Sequence, residues 1–249
     1  MWHGGRMNAQ EKIPTPQRRV AAWAVHAFTT SGVVFGFLAI VAILESDRQA
    51  AFLWLGLALF IDGVDGTLAR KVNVEAVTPW FDGRTLDNIV DFVTYVIVPA
   101  LMVYWFGLVP AGWATPAAAL ILAVSCYTFS NLKLKTQDWY FCGFPALWNV
   151  VALYFHLLGT SAWVNLSVIA LMAVLTFVPV KVVHPLRVTQ LRPLTIFMTI
   201  VWGASTLRLV LVDVQPAMHE APVSFWLCMA SSVYFIVLSL WRTLRGATV

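Results

Sequence analysis

The chain has 249 residues, of which 60% are hydrophobic and 11% are charged, and its formal net charge is +4. This composition excludes an ordinary soluble globular domain and indicates a protein embedded in a membrane. The excess of basic residues does not indicate a nucleic acid partner, because its distribution along the chain follows a membrane topology.

The first 19 residues are polar, and we expect residues 1–19 to form an arm on the membrane surface. Residues 20–245 then form a single transmembrane domain, predicted to be an all-α, polytopic helical bundle. Eight apolar segments are candidate membrane spans, at about 20–44, 49–69, 87–107, 113–132, 144–159, 162–180, 194–212 and 222–241.

The basic residues indicate how these spans are oriented. Eight spans bring both chain ends to the same side, and fourteen of the sixteen Lys and Arg residues fall on that side. Basic residues are enriched in cytoplasmic loops. The sequence therefore predicts cytosolic N- and C-termini, and it places the loop between the second and third spans in the cytosol as well.

Four aspartates stand at the cytosolic ends of two neighbouring spans. Asp62 and Asp65 end the second span, and Asp87 and Asp91 begin the third. Their spacings of three and four residues place each pair on one face of its helix. Four carboxylates at membrane depth would repel one another strongly unless a cation lay among them. A pair of divalent cations, which prefer oxygen ligands, would neutralise these carboxylates.

Two other interpretations compete with a metal site. A single acidic residue at the end of a membrane helix is usually a cap or a boundary residue, but that does not explain four at this spacing. An ion-coupled transporter could also use intramembrane carboxylates. It would not explain why small residues, Gly66, Ala69 and Gly83, are interleaved with the acids.

Eight positions within residues 62–91 fit the pattern D-x2-D-G-x2-A-R-x12-G-x3-D-x3-D. This pattern resembles the signature of the CDP-alcohol phosphatidyltransferases, integral membrane enzymes that make phospholipids from cytidine-diphosphate-activated precursors. The spacer of twelve residues between Arg70 and Gly83 is longer than in most members. It is similar to the spacer of the bacterial phosphatidylcholine synthases, whose overall layout the chain also resembles.

The resemblance implies roles for the motif residues. Asp62, Asp65 and Asp87 would hold two Mg²⁺ or Mn²⁺ ions, and Asp91 would be the general base and a further metal contact. The residues expected to bind the CDP-diacylglycerol substrate are Gly66, Ala69, Arg70 and Gly83. The small residues among them also have a simpler explanation, which is close packing between helices.

Further substrate contacts are expected outside the motif. Ser31, in a polar stretch of the first span, is a candidate for the nucleotide site, although such hydroxyls usually bond to their own helix. Lys133 is a candidate for lipid phosphate. If choline is the acceptor, its quaternary ammonium would rest on aromatic rings, for which Tyr95 and Trp148 are the candidates.

The acceptor alcohol is less strongly indicated than the chemistry. Choline is favoured by the spacer and the layout, and serine is the alternative because residues 141–145 are similar to a segment of serine-using relatives. The resemblance further implies a location in the bacterial cytoplasmic membrane, with the active site facing the cytosol. The bilayer is then a partner, and a homodimer is left open.

Overall fold

The computed structural model describes residues 14–131, 136, 138–212 and 221–246. Within these ranges almost all regular structure is helical, apart from two short strands, β1 (Tyr140–Cys142) and β2 (Lys181–Val183). The helices are α1 (Pro16–Leu44), α2 (Arg48–Val72), α3 (Val74–Val77), α4 (Gly83–Asp91), α5 (Val98–Trp105), α6 (Ala114–Ser130), α7 (Trp148–Leu158), α8 (Ala162–Leu175), α9 (Arg192–Val212) and α10 (Pro222–Leu244). A π-helical segment, Phe92–Ile97, joins α4 to α5.

Five helices in the described part of the chain are long and apolar enough to cross a membrane. They are α1, α2, α9, α10 and the continuous helix from Gly83 to Trp105. Helices α6, α7 and α8 are apolar but shorter, with 17, 11 and 14 residues. The predicted all-α membrane bundle is confirmed. The number of crossings and the orientation of the termini stay predictions.

Helix α1 begins four residues before the predicted start of the first span. Thr15 caps it by accepting a hydrogen bond from the backbone N–H of Arg18, and Pro16 occupies the first turn, where a missing N–H costs nothing. Residues 14–19 of the predicted surface arm therefore include the first turn of α1. Residues 1–13 lie outside the described part of the chain.

Glycines allow α1 to approach the helix that carries Asp87 and Asp91. A Cβ on Gly32 would lie 2.7 Å from a methyl group of Val90, and one on Gly36 would lie 3.1 Å from both Val93 and Thr94. Helix α1 also packs along much of α2. These contacts hold α1, α2 and the Gly83–Trp105 helix together around the four aspartates.

The two strands were not predicted from the sequence. They pair antiparallel, with Tyr140 opposite Val183 and Cys142 opposite Lys181. Three residues each is too short a run to produce a recognisable period. The pairing joins the loop before α7 to the loop before α9, two loops on the side of the bundle where α2 ends and α4 begins.

Gly143, directly after β1, occupies a position that requires glycine. Its φ is +91°, and a Cβ there would lie 2.5 Å from the backbone carbonyl oxygen of Thr176. We expect Gly143→Ala to lower the free energy of unfolding by about 2 kcal/mol, through backbone strain and steric overlap. Thermal unfolding in detergent measures the change.

Gly56→Ala is the matched control for this prediction. Gly56 lies in α2, and among the described residues no atom beyond its chain neighbours and the backbone of its own helix turn comes within 4 Å of its Cβ position. Alanine is the better helix former, so this substitution should leave the melting temperature unchanged or raise it. Equal melting temperatures for Gly143→Ala and Gly56→Ala would contradict the prediction.

Candidate active site

The termini of α2 and α4 bring the two aspartate pairs to the same end of the bundle. Helix α2 ends where Asn73 adopts a left-handed backbone conformation with φ 57°. Helix α4 begins after Asp82, whose Oδ1 accepts hydrogen bonds from the backbone N–H groups of Arg84 (2.9 Å) and Thr85 (3.2 Å). Hydrogen bonds from the Thr85 side chain and from these backbone groups hold the pKa of Asp82 below its usual value.

Three of the four predicted carboxylates converge. One oxygen from each of Asp62, Asp87 and Asp91 lies within 4.8 Å of the other two, and all three residues are half-buried. The Tyr95 hydroxyl donates a hydrogen bond to Oδ2 of Asp62 at 2.7 Å. Tyr95 is only 6% exposed, so this bond joins the Asp62 carboxylate to a buried side chain.

Tyr95 lies in the π-helical segment that follows Asp91. Pro99, four residues later, has no N–H to donate to the Tyr95 carbonyl, so a regular α-helical ladder is interrupted at this point. Single π-helical turns of this kind are frequent at functional sites.

The residues at this cluster fit a divalent metal. Carboxylate oxygens are the ligands that Mg²⁺ and Mn²⁺ prefer. Three partly buried carboxylates this close together, in an otherwise apolar bundle, would repel one another and favour a bound cation. The hydrogen bond from Tyr95 would orient Asp62, in the way that outer partners orient metal ligands.

Asp65 lies beside this group rather than within it. It is 5% exposed, and its carboxylate interacts electrostatically with Asp62 and with Arg187. The hydroxyl of Thr29 on α1 lies within hydrogen-bonding reach of Asp65. The sequence alone did not identify Arg187 as a neighbour of the motif. The role of Asp65 as a metal ligand stays a prediction.

The predicted substrate residues on α2 have different surroundings. Gly66 lies beneath two guanidinium groups, because a Cβ there would be 3.1 Å from Nη2 of Arg187 and 3.4 Å from Nη1 of Arg70. Arg70 is exposed and donates a hydrogen bond to the Thr67 hydroxyl at 3.1 Å. Ala69 is partly buried against an apolar cluster of α1 and α3.

Gly83 lies against a histidine that sequence reasoning missed. A Cβ on Gly83 would lie 3.1 Å from Cε1 of His26 in α1. The Nε2 of His26 is 3.0 Å from the Thr78 hydroxyl, and its ring is 4.5 Å from that of Phe81, centroid to centroid. This contact supports the packing explanation for Gly83. A histidine in an apolar helix gave no sequence signal of a partner more than fifty residues away.

The remaining predicted residues are Ser31, Trp148 and Lys133. The Ser31 hydroxyl donates to the Phe28 carbonyl of its own helix at 2.6 Å. Trp148 is 1% exposed, and its Nε1 donates to the Ser125 hydroxyl at 2.8 Å. It shares an apolar cluster with Tyr95. Lys133 lies outside the described residues.

Comparison with known proteins agrees with this geometry. The family model described as CDP-alcohol phosphatidyltransferase matches residues 24–178, which contain all four aspartates. A Phosphatidylcholine synthase of Pseudomonas aeruginosa is 45% identical over 93% of this chain and 95% of its own length.

Other relatives carry the same name. The Phosphatidylcholine synthase of Mesorhizobium japonicum is 40% identical over 78% of this chain and 74% of its own length, and that of Legionella pneumophila is 40% identical over 77% of each. These matches favour an enzyme over the transporter considered above. The chain belongs to the CDP-alcohol phosphatidyltransferase family.

Proposed function

We propose that this protein transfers the phosphatidyl group from CDP-diacylglycerol to choline, giving phosphatidylcholine and CMP. The observation that carries the proposal is the similarity to the Phosphatidylcholine synthase of Pseudomonas aeruginosa over 93% of the chain. The convergence of Asp62, Asp87 and Asp91 at one end of the bundle supports it.

Two divalent ions, Mg²⁺ or Mn²⁺, are the proposed cofactors. Asp62, Asp65 and Asp87 would hold them, with Asp91 as a further contact. Bound there, they would neutralise the negative charge on the diphosphate of the substrate.

Asp91 is the proposed general base. In the reaction the choline oxygen forms a bond to the phosphorus of the phosphatidyl group, and the bond from that phosphorus to the CMP oxygen breaks. The hydroxyl proton of choline passes to Asp91, and CMP leaves with the electron pair of the broken bond. A base at the point of attack contributes roughly 10²–10⁴-fold in such reactions.

Further residues are proposed to contact the substrate. Gly66 leaves room for the nucleotide beside the arginines, and Arg70 is suited to binding a phosphate through two N–H groups. Ala69 and Gly83 would line the same side. Ser31 and Lys133 are proposed as outer contacts, to cytidine and to lipid phosphate respectively.

Tyr95 and Trp148 are the proposed aromatic residues of the choline site. The hydrogen bond from Tyr95 to Asp62 supports Tyr95, because it brings an aromatic ring next to the acids. The burial of Trp148 and its bond to Ser125 suit a supporting residue of the same apolar cluster. A cation–π contact with a desolvated quaternary ammonium is worth roughly 2 kcal/mol.

Two substitutions separate these roles of Tyr95. Tyr95→Phe keeps the ring and loses the hydrogen bond, so the Mg²⁺ concentration for half-maximal activity should rise about tenfold, with the choline KM unchanged. Tyr95→Leu also removes the ring, and the choline KM should rise about tenfold. Steady-state titrations of Mg²⁺ and choline measure both effects. An unchanged choline KM in Tyr95→Leu would exclude Tyr95 from the choline site.

The proposed location is the bacterial cytoplasmic membrane, with the carboxylates facing the cytosol and the bilayer as the lipid source. Cysteines introduced at Lys71 or Arg84, both exposed beside the motif, should react with an impermeant thiol reagent only once the inner face is accessible. Labelling of intact cells from outside would mean that the carboxylates face the opposite side of the membrane.

A homodimer is proposed as the assembly, to be tested by the mass of the protein in detergent.

A comparison of acceptors tests the proposed function. Purified protein should release CMP from CDP-diacylglycerol when choline is added, and serine should give no release above background. Release with serine but not with choline would keep the family chemistry and overturn the acceptor. No release with either alcohol in the presence of Mg²⁺ or Mn²⁺ would overturn the proposal.

A further inference from the structure

Three arginines from two distant parts of the sequence gather at the motif. Arg70 belongs to α2, whereas Arg187 lies in the turn between β2 and α9 and Arg192 begins α9. The charge on Arg70 interacts with those on both Arg187 and Arg192. The region matched by the family model ends at residue 178, so two of the three arginines lie beyond it.

The turn that carries Arg187 docks directly on the glycine face of α2. The backbone N–H groups of Arg187 and Val188 both bond to the His184 carbonyl at 3.2 Å. A Cβ on Gly63 would lie 3.4 Å from a methyl of Leu186, just as a Cβ on Gly66 would lie 3.1 Å from Nη2 of Arg187. Leu186 and Arg187 therefore lie over two glycines one helical turn apart.

The position of Arg187 is fixed from its other side as well. Its guanidinium carbon lies 5.1 Å from the centroid of the Trp139 ring. The neighbouring Asp138 forms an ion pair with Arg242 of α10 at 2.6 Å. Although burial alone would raise the pKa of Asp138, hydrogen bonds from Arg242 and Thr136 outweigh it and lower that pKa. The loop of Asp138 and Trp139, which contacts Arg187, is therefore anchored to α10 as long as the Asp138 carboxylate is charged.

The arrangement has the properties of a phosphate site. Two guanidinium groups lie within 3.4 Å of one point above Gly66, where their like charges repel. Asp65, also near Arg187, offsets only part of this positive charge. Planar guanidinium groups bind phosphate oxygens through paired N–H bonds. The glycine leaves space at that point that any side chain would fill.

We propose that Arg187, together with Arg70, binds the phosphates of the cytidine diphosphate half of the substrate above Gly66. Arg192 adds to the positive potential from the start of α9. The inference rests on the proposed function and extends it, because it assigns substrate binding to a residue outside the motif and explains what the turn before α9 contributes.

The test compares the purified variants Arg187→Gln, Arg187→Lys and Arg245→Gln. Arg245 is the matched control, since it is an exposed arginine that stacks on Trp241, with 4.2 Å from its guanidinium carbon to the ring centroid. Calorimetric titration with CDP in the presence of Mg²⁺ gives the affinity. Steady-state kinetics give the KM for CDP-diacylglycerol and for choline separately.

Arg187→Gln should weaken CDP binding and raise the CDP-diacylglycerol KM by about tenfold or more, since it removes a charged donor from phosphate. Arg187→Lys should recover part of the affinity, because it keeps the charge but loses the planar fork. The choline KM should change less than about twofold, and Arg245→Gln should resemble the wild type. A merely structural role of Arg187 would not produce this split between the two substrates.

Two results would overturn the inference. One is a CDP affinity of Arg187→Gln equal to that of the wild type. The other is an effect that appears only when phosphatidylglycerol is present in the micelles, which would mean that the arginines bind bulk lipid phosphate. Because CDP binding needs no acceptor, wild-type protein that binds CDP but uses serine would refute the choline assignment and leave this inference standing.

Discussion

Asp87→Asn is expected to abolish nearly all phosphatidyl transfer, lowering kcat at least about a thousandfold. Asp87 is one of three carboxylates whose oxygens lie within 4.8 Å of one another. Losing one charged metal ligand removes several kcal/mol of stabilisation from the transition state, in which a highly charged group is transferred. Each 1.4 kcal/mol added to the activation barrier lowers the rate about tenfold. Asp62→Asn should behave in the same way. The rate of CMP release measures both.

Asp82→Asn is the control for these substitutions. Asp82 lies five residues before Asp87, is fully exposed and caps the same helix. Asparagine caps a helix about as well as aspartate, so this variant should keep wild-type activity. If Asp87→Asn retained a substantial rate in the presence of a chelator, the carboxylates would not be metal ligands.

Asp91→Asn is expected to lower kcat by about 10²–10⁴-fold, the usual contribution of a general base. Its effect should differ in kind from that of Asp87→Asn. Binding of CDP in the presence of Mg²⁺ should survive in Asp91→Asn, because the other carboxylates remain.

A different outcome would reassign Asp91. If excess Mg²⁺ restored the rate of Asp91→Asn, the residue would be a metal ligand rather than the base. Titration of the rate with Mg²⁺ separates these two roles. The position of Asp91 fits both roles, because one of its carboxylate oxygens lies within 4.8 Å of those of Asp62 and Asp87.

The helical bundle and the convergence of three aspartates could be predicted because both depend on local spacing. Asp87 and Asp91 are four residues apart and therefore share a helix face whatever the rest of the chain does. Asp62 joins them because the short segment between α2 and α4 returns the chain to the same end of the bundle. The same reasoning grouped Asp65 with them, whereas its side chain lies toward Thr29 and Arg187.

Contacts that depend on long-range packing could not be predicted in this way. The strands β1 and β2 are three residues each and pair across about forty residues. Arg187 reaches Gly66 only because this pairing and the turn after β2 bring it over α2. In the sequence, Arg187 was one of fourteen basic residues that fitted the topology equally well. The hydrogen bond from Tyr95 to Asp62 likewise joins residues more than thirty positions apart and was not predicted.

The most direct test of the account follows both products of one reaction. Purified protein in detergent would be given CDP-diacylglycerol, radiolabelled choline and Mn²⁺, and CMP and labelled lipid would be counted together. The account predicts one labelled phosphatidylcholine for each CMP released, none without the divalent ion, and almost none from Asp87→Asn. Equal amounts of both products in the presence of chelator, or CMP release with no label in the lipid, would contradict it.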